Sequence, residues 1–266
     1  MKKHSSNPIV NDVCNRFDTV YQISKIFVTG DSAQKGLIIS GDAGTGKSHY
    51  VQQAFIDTNT SDLVDYNKSE SFTAPAFYVQ LYLNRKPGQV VVFDDCNIGG
   101  LTGGDFKSIT DMLKGATEMT KGERMIGWNR ASQNQLMKDH GVPTSFDFQG
   151  SIIWITNYSF EQLSSKFKAH WEAIQSRFIP VPIRLNDQEK LMYTLHLVEE
   201  VDMLGKNCNT YEGGYSKEII ENTCEYLHAN WKSMDNVTPR VAAKIADTMK
   251  SYPTNWEMLL ENQNIR

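Results

Sequence analysis

No apolar run in the 266 residues is long enough to cross a bilayer, and the opening MKKHSSNPIVNDVC carries no continuous apolar stretch behind its lysines. Neither a membrane span nor a secretory leader is therefore expected, and the chemistry should be cytoplasmic. Paired cysteines are missing too: Cys14, Cys96, Cys208 and Cys224 form no CxxC, and the six histidines are scattered. Zinc and disulfide frameworks both fail on spacing. A basic excess is also absent. A net charge of −4 and a pI near 5.9 argue against coating duplex DNA by bulk electrostatics, though a local basic patch stays open. Repeats and low-complexity tracts are lacking as well, so the chain should form one large domain or a domain with a smaller companion.

What is present is a regular alternation. GLIIS (36–40), the weaker DLVDYNK (62–68), VVVF (90–93), SIIWIT (151–156) and FIPVPI (178–183) read as strands, several of them apolar on both faces. Between them, 47–57, 73–84 and 104–118 repeat apolar residues at helical spacing, with Pro75 in a first turn where proline is tolerated. RMIGW and SFDF are two short extended pieces on either side of a polar stretch. Such alternation predicts an α/β fold, a parallel sheet with helices on both faces. From Asn186 the pattern turns helical, over 187–204, 216–232, 238–251 and 254–262. The expected division is an N-terminal segment 1–35 packing near a nucleotide, an α/β core 36–185, and a small all-α lid 186–266.

GDAGTGKS (41–48) sits directly after a strand and opens a helix, which is the context a phosphate-binding loop requires. Gly41, Gly44 and Gly46 permit a tight turn, while Asp42, Ala43, Thr45 and the following His49 complete the candidate nucleotide contacts. Lys47 would reach the terminal phosphates of ATP and the Ser48 hydroxyl would ligate Mg2+. The apolar strand VVVF then runs into two acids, Asp94 and Asp95. Asp94 suits the magnesium shell. Asp95 is either the residue that polarises the attacking water or a cap for the following turn. Asn157, at the tip of SIIWIT, either orients that water or simply forms a turn. Arg177 and Arg240, taken alone, read as ordinary surface cations; their order after the two acidic and glycine-rich motifs raises them to catalytic candidates.

Together these motifs resemble the AAA+ P-loop ATPases: Walker A at 41–48, Walker B at 90–95, a sensor Asn157, an arginine finger Arg177 and a second sensor Arg240 in a helical lid. More narrowly, TAPAFYVQLYLNR, FDFQGSIIWITN, QSRF and NWEMLL are similar to phage-encoded ATPases of that family. The resemblance implies ATP and Mg2+ as ligands and a homo-oligomeric ring, commonly of six subunits, with Arg177 reaching into the neighbouring site. Asp95 departs from the family's usual Glu. That shorter acid raises the question of slow turnover.

The family also suggests what the ATPase works on. A β-hairpin just before the sensor strand touches nucleic acid in one branch, which makes Arg130 and Lys138, with Gln133, Asn134, Gln135 and His140 nearby, candidate DNA contacts; a solvated loop is the alternative. A peptide-remodelling ATPase would need an exposed aromatic loop, for which Phe72 is the one candidate. A small-molecule P-loop kinase fits less well, for want of an arginine-rich lid. The expected substrate is DNA or a DNA-bound complex.

Overall fold

The computed structural model describes residues 5–30, 32–68, 72–96, 103–119, 122–129 and 134–262. The chain divides into two compact units: residues 18–41 with 47–183, and residues 1–17 with 42–46 and 184–266. Helix α1 (Pro8–Thr29) contributes to both. The Asn7 carboxamide caps it, accepting from the Ile9 amide at 2.9 Å, and Pro8 opens it, where a missing N–H costs nothing.

In the first unit the order is β1 (Gly36–Gly41), α2 (Lys47–Asp57), β2 (Val64–Lys68), α3 (Ala74–Leu83), β3 (Val90–Asp94), α4 (Gly103–Ala116), β4 (Met125–Gly127), α5 (Gln135–Asp139), β5 (Ser145–Asp147), β6 (Ser151–Thr156), α6 (Phe160–Phe167), α7 (Trp171–Gln175) and β7 (Ile179–Ile183). Five strands form a parallel sheet in the order β2-β3-β6-β1-β7. Every residue of β3 and β6 is buried, as in strands covered on both faces. β7 is an edge strand, which explains how it tolerates exposed Pro180 and Pro182 that cannot donate to a further neighbour.

The register decides where the chemistry sits. Asp94 pairs with Ile155 and Ser40 with Thr156, so the carboxyl ends of β1, β3 and β6 finish level with one another. An open α/β sheet binds its ligands at that end. Beneath it, Phe77 stacks on Phe93 at 4.8 Å and Phe72 meets Phe93 edge-on at 5.2 Å. Phe72 is thus a core residue, 9% exposed, and the sequence-based reading of it as a peptide contact is corrected: its ring completes an aromatic cluster under the sheet.

The second unit gathers α8 (Asp187–Glu199), α9 (Lys217–Asn230), α10 (Pro239–Ser251) and α11 (Trp256–Asn262) around Leu191, Leu195, Leu227, Ile245 and Leu260. Asn186 and Glu189 form a capping box on α8, and Thr238 caps α10 ahead of Pro239. The apolar spacing predicts that α8 runs on to 204. The helix instead stops at Glu199, because Asp202 turns left-handed (φ 60°) and its carboxylate accepts the Lys206 amide. No helix among the described residues is long and apolar enough to cross a membrane.

Candidate nucleotide site

β1 ends on Gly41, whose φ of 151° and surroundings exclude any side chain: a Cβ would stand 2.3 Å from the Ile183 carbonyl oxygen of β7. Lys47 opens α2 and is only 5% exposed. Its ammonium donates to the Gly41 carbonyl at 2.7 Å and to the Asn157 Oδ1 at 3.0 Å. One residue on, the Ser48 hydroxyl donates to Asp94 Oδ1 at 2.8 Å. Lys47, Ser48, Asp94, Asp95 and Asn157, separated widely in sequence, are therefore brought together at the carboxyl end of the sheet.

The two acids are held differently. Asp94 is buried, and its second oxygen accepts from the Tyr66 hydroxyl at 3.0 Å, with the Lys68 ammonium at 3.9 Å. Burial first, and the Asp94 charge second, push the Tyr66 phenol well above its ordinary value, so Tyr66 stays a donor at any working pH. Sequence reasoning missed Tyr66. Its only signal was a tyrosine on β2, whose neighbour Lys68 lies opposite Asp94.

Asp95 is exposed and sits left-handed at φ 59°. Its amide donates to the Ile155 carbonyl at 3.0 Å, and Trp154 Nε1 donates to the Cys96 carbonyl at 3.3 Å, so β6 holds both residues that follow Asp94. The Asn157 amide then donates to Asp95 Oδ1 at 2.6 Å. Asp and Asn tolerate the left-handed region better than longer side chains do. The backbone here is a physical reason for the shorter acid.

In the other unit, the loop residues 42–46 keep their own order. Thr45 Oγ1 donates to the Asp42 carbonyl at 2.9 Å, and Gly44 and Gly46 take φ values of 77° and 106°. α10 packs on this loop: a Cβ on Gly44 would lie 3.1 Å from Thr238 Oγ1 and 3.2 Å from Arg240 Cβ. Arg240 is thus placed at the loop, with an exposed side chain. Ala43 is also exposed, as is His49, whose ring meets Tyr50 edge-on at 5.7 Å.

Arg177 is bound inside its own chain. Its Nε and Nη2 donate to Glu118 Oε2 at 2.9 and 2.7 Å, and Nη1 to the Ala173 carbonyl at 2.9 Å. The insertion before β6 folds as a two-stranded antiparallel ribbon, β4 with β5, interrupted by α5. Arg124 anchors it, donating to the Phe148 carbonyl at 2.8 Å and to Gln149 Oε1 at 3.1 Å. Lys138 and His140 are exposed at the end of α5, Asn134 caps that helix and Gln135 donates to Asp139. Arg130 and Gln133 lie outside the described residues.

A triphosphate and a hard cation fit these residues. Three glycines with positive φ shape a loop that Cβ atoms would obstruct at Gly41 and Gly44, and the Ser48 hydroxyl beside a carboxylate is an oxygen donor pair of the kind magnesium takes. RuvB of Thermotoga maritima, in a point-mutant form, superposes over 97% of this chain and 71% of its own with a TM-score of 0.52 at 12% identity. The fold is that of the AAA+ P-loop ATPases. Another Thermotoga maritima RuvB structure, of the Holliday junction branch migration motor, aligns with a TM-score of 0.49 over 91% of this chain and 62% of its own, at 14% identity. At sequence level the chain is similar to an uncharacterised 36.7 kDa protein of Enterobacteria phage T4, from the nrdC-mobD intergenic region, with 24% identity over 260 residues, 96% of this chain and 75% of the T4 protein. No protein-family model matches the chain.

Proposed function

We propose that this protein is a magnesium-dependent ATPase that works as a homo-oligomeric ring on DNA or a DNA-bound complex. The observation that carries the ATPase reading is the connected set Lys47–Asn157–Asp95 beside the Ser48–Asp94 pair. In it, Lys47 exchanges neutral carbonyl acceptors for phosphate oxygens, a stronger charge-assisted contact. Ser48 and Asp94 would hold a Mg2+, which would supply charge neutralisation to the phosphates when bound. Tyr66 keeps Asp94 aimed through its second oxygen. Asn157 fixes Asp95, whose other carboxylate oxygen orients a water for in-line attack on the γ-phosphorus and takes its proton, while the bond from that phosphorus to the bridging oxygen breaks and ADP leaves. The loop residues 42–46 and His49 line the nucleotide, and Arg240 adds positive charge from α10.

Arg177 is assigned to the neighbouring subunit's site. To act there it must trade Glu118 for phosphate, so hydrolysis depends on assembly. DNA as the substrate is supported by the exposed Lys138 on α5, within the β4–β5 ribbon, and by the fold shared with RuvB, itself a Holliday junction branch migration motor. Burial of Phe72 removes the one residue that favoured peptide threading. Lys47→Ala tests the core of the reading. It should abolish ATP binding in a calorimetric titration, and retained affinity would sink the phosphate-loop assignment.

A further inference from the structure

Polar contacts concentrate at the start of α8. Asn186 and Glu189 cap it reciprocally, and Glu189 also receives Arg16 of α1 at 2.7 Å. One residue on, Lys190 is 12% exposed and its ammonium lies 2.6 Å from Asp42 Oδ2, with Asp187 more distant at 3.8 Å. Asp42 is the only acid in GDAGTGKS. An acid there faces a difficulty, since a triphosphate in the loop would meet an uncompensated like charge within a few residues of Lys47. Lys190 removes it. The Asp42 carbonyl is meanwhile held by Thr45, so the residue is fixed at both its main chain and its side chain.

We propose that Lys190 is a positioning residue for the phosphate loop: through Asp42 it neutralises the loop's carboxylate and ties the loop's shape to the first helix of the C-terminal unit. This deepens the nucleotide-site reading and rests on it. Lys190 is given no contact with nucleotide; it acts through Asp42. A lysine at this point makes the loop competent for an anion without adding a second cation to it. The contact with Thr238 and Arg240 at Gly44 gives the same unit a second hold on the loop.

The test is a double-mutant cycle read by titration of the whole 266-residue chain with a fluorescent ATP analogue. Lys190→Met should weaken binding on the order of tenfold at low salt, as one uncompensated charge near a partly screened polyanion does, and by less as ionic strength rises. Lys190→Arg should keep affinity near wild type. Asp42→Asn combined with Lys190→Met should recover most of the loss, because the charge that needed neutralising is gone. Wild-type affinity in Lys190→Met, a loss that salt does not reduce, or a double variant as weak as Lys190→Met alone would overturn the inference while leaving the nucleotide site intact. A wild-type protein that bound no ATP analogue would overturn both.

Discussion

Replacing Asp95 by Glu installs the acid that AAA+ ATPases usually carry, and the geometry predicts that the exchange slows the proposed hydrolysis. Two effects combine. Asp95 sits left-handed at φ 59°, a conformation that costs a typical L-residue about 1–2 kcal/mol and an Asp less, so Glu should lose up to about 1 kcal/mol of local stability. The larger effect is reach. Asp95 Oδ1 lies 2.6 Å from the Asn157 amide, and one further methylene moves the carboxylate by about 1.5 Å along its bond. A misplacement of about 1 Å costs on the order of 100-fold in a positioned step, equivalent to about 2.7 kcal/mol of barrier. Steady-state phosphate release at saturating Mg-ATP should therefore fall by about 10- to 100-fold in Asp95→Glu. Affinity for the ATP analogue, which depends on Lys47 and the loop, should stay within about threefold. Asp95→Asn, which keeps the side-chain length and the left-handed tolerance, should bind nucleotide normally and turn over least. If Asp95→Glu turned over as fast as wild type or faster, the carboxylate would not be placed by Asn157, and the account of the short acid would fail.

Arg177→Ala should leave nucleotide affinity nearly unchanged and suppress turnover by about 10³-fold or more, and mixing it with Asp95→Asn subunits should restore some activity if the site is shared. Glu118→Gln should release Arg177 and lower the protein concentration for half-maximal ATPase; a half-exposed pair is worth about 1 kcal/mol or less, so the shift should not exceed about fivefold, and an unmoved midpoint would count against the tether. Gly41→Ala must force a Cβ away from the Ile183 carbonyl, 2.3 Å distant, at a positive φ, and should cost about 3 kcal/mol in denaturant unfolding. Charge reversal at Lys138 together with Arg130 should weaken the stimulation of hydrolysis by DNA and leave DNA-free turnover unchanged; an undiminished stimulation would remove the ribbon as the DNA contact.

Much of the fold was open to reading because its signals are local. β3 and β6 are contiguous apolar runs since both of their faces are covered, and α2, α3 and α10 carry a glycine-rich loop or a proline at their starts. The Asn7–Pro8 start of α1 and its buried Val10, Val13, Phe17 and Val20 were equally local, and were overlooked beside the stronger motifs. The end of α8 was misjudged because Leu204 continues the apolar spacing after the backbone has already turned at Asp202.

The glycine-rich loop after β1, the five strands of the sheet, the helical C-terminal region and the pair of acids after β3 were legible along the chain, since each is a run of neighbouring residues whose spacing carries its own physical cause. The partners were not: Tyr66 on Asp94, Asn157 between Lys47 and Asp95, Glu118 on Arg177, and Lys190 on Asp42 emerge from packing alone. Each joins residues far apart in the chain. Side chains so separated meet only where sheet register and helix packing place them, and no local pattern records that meeting.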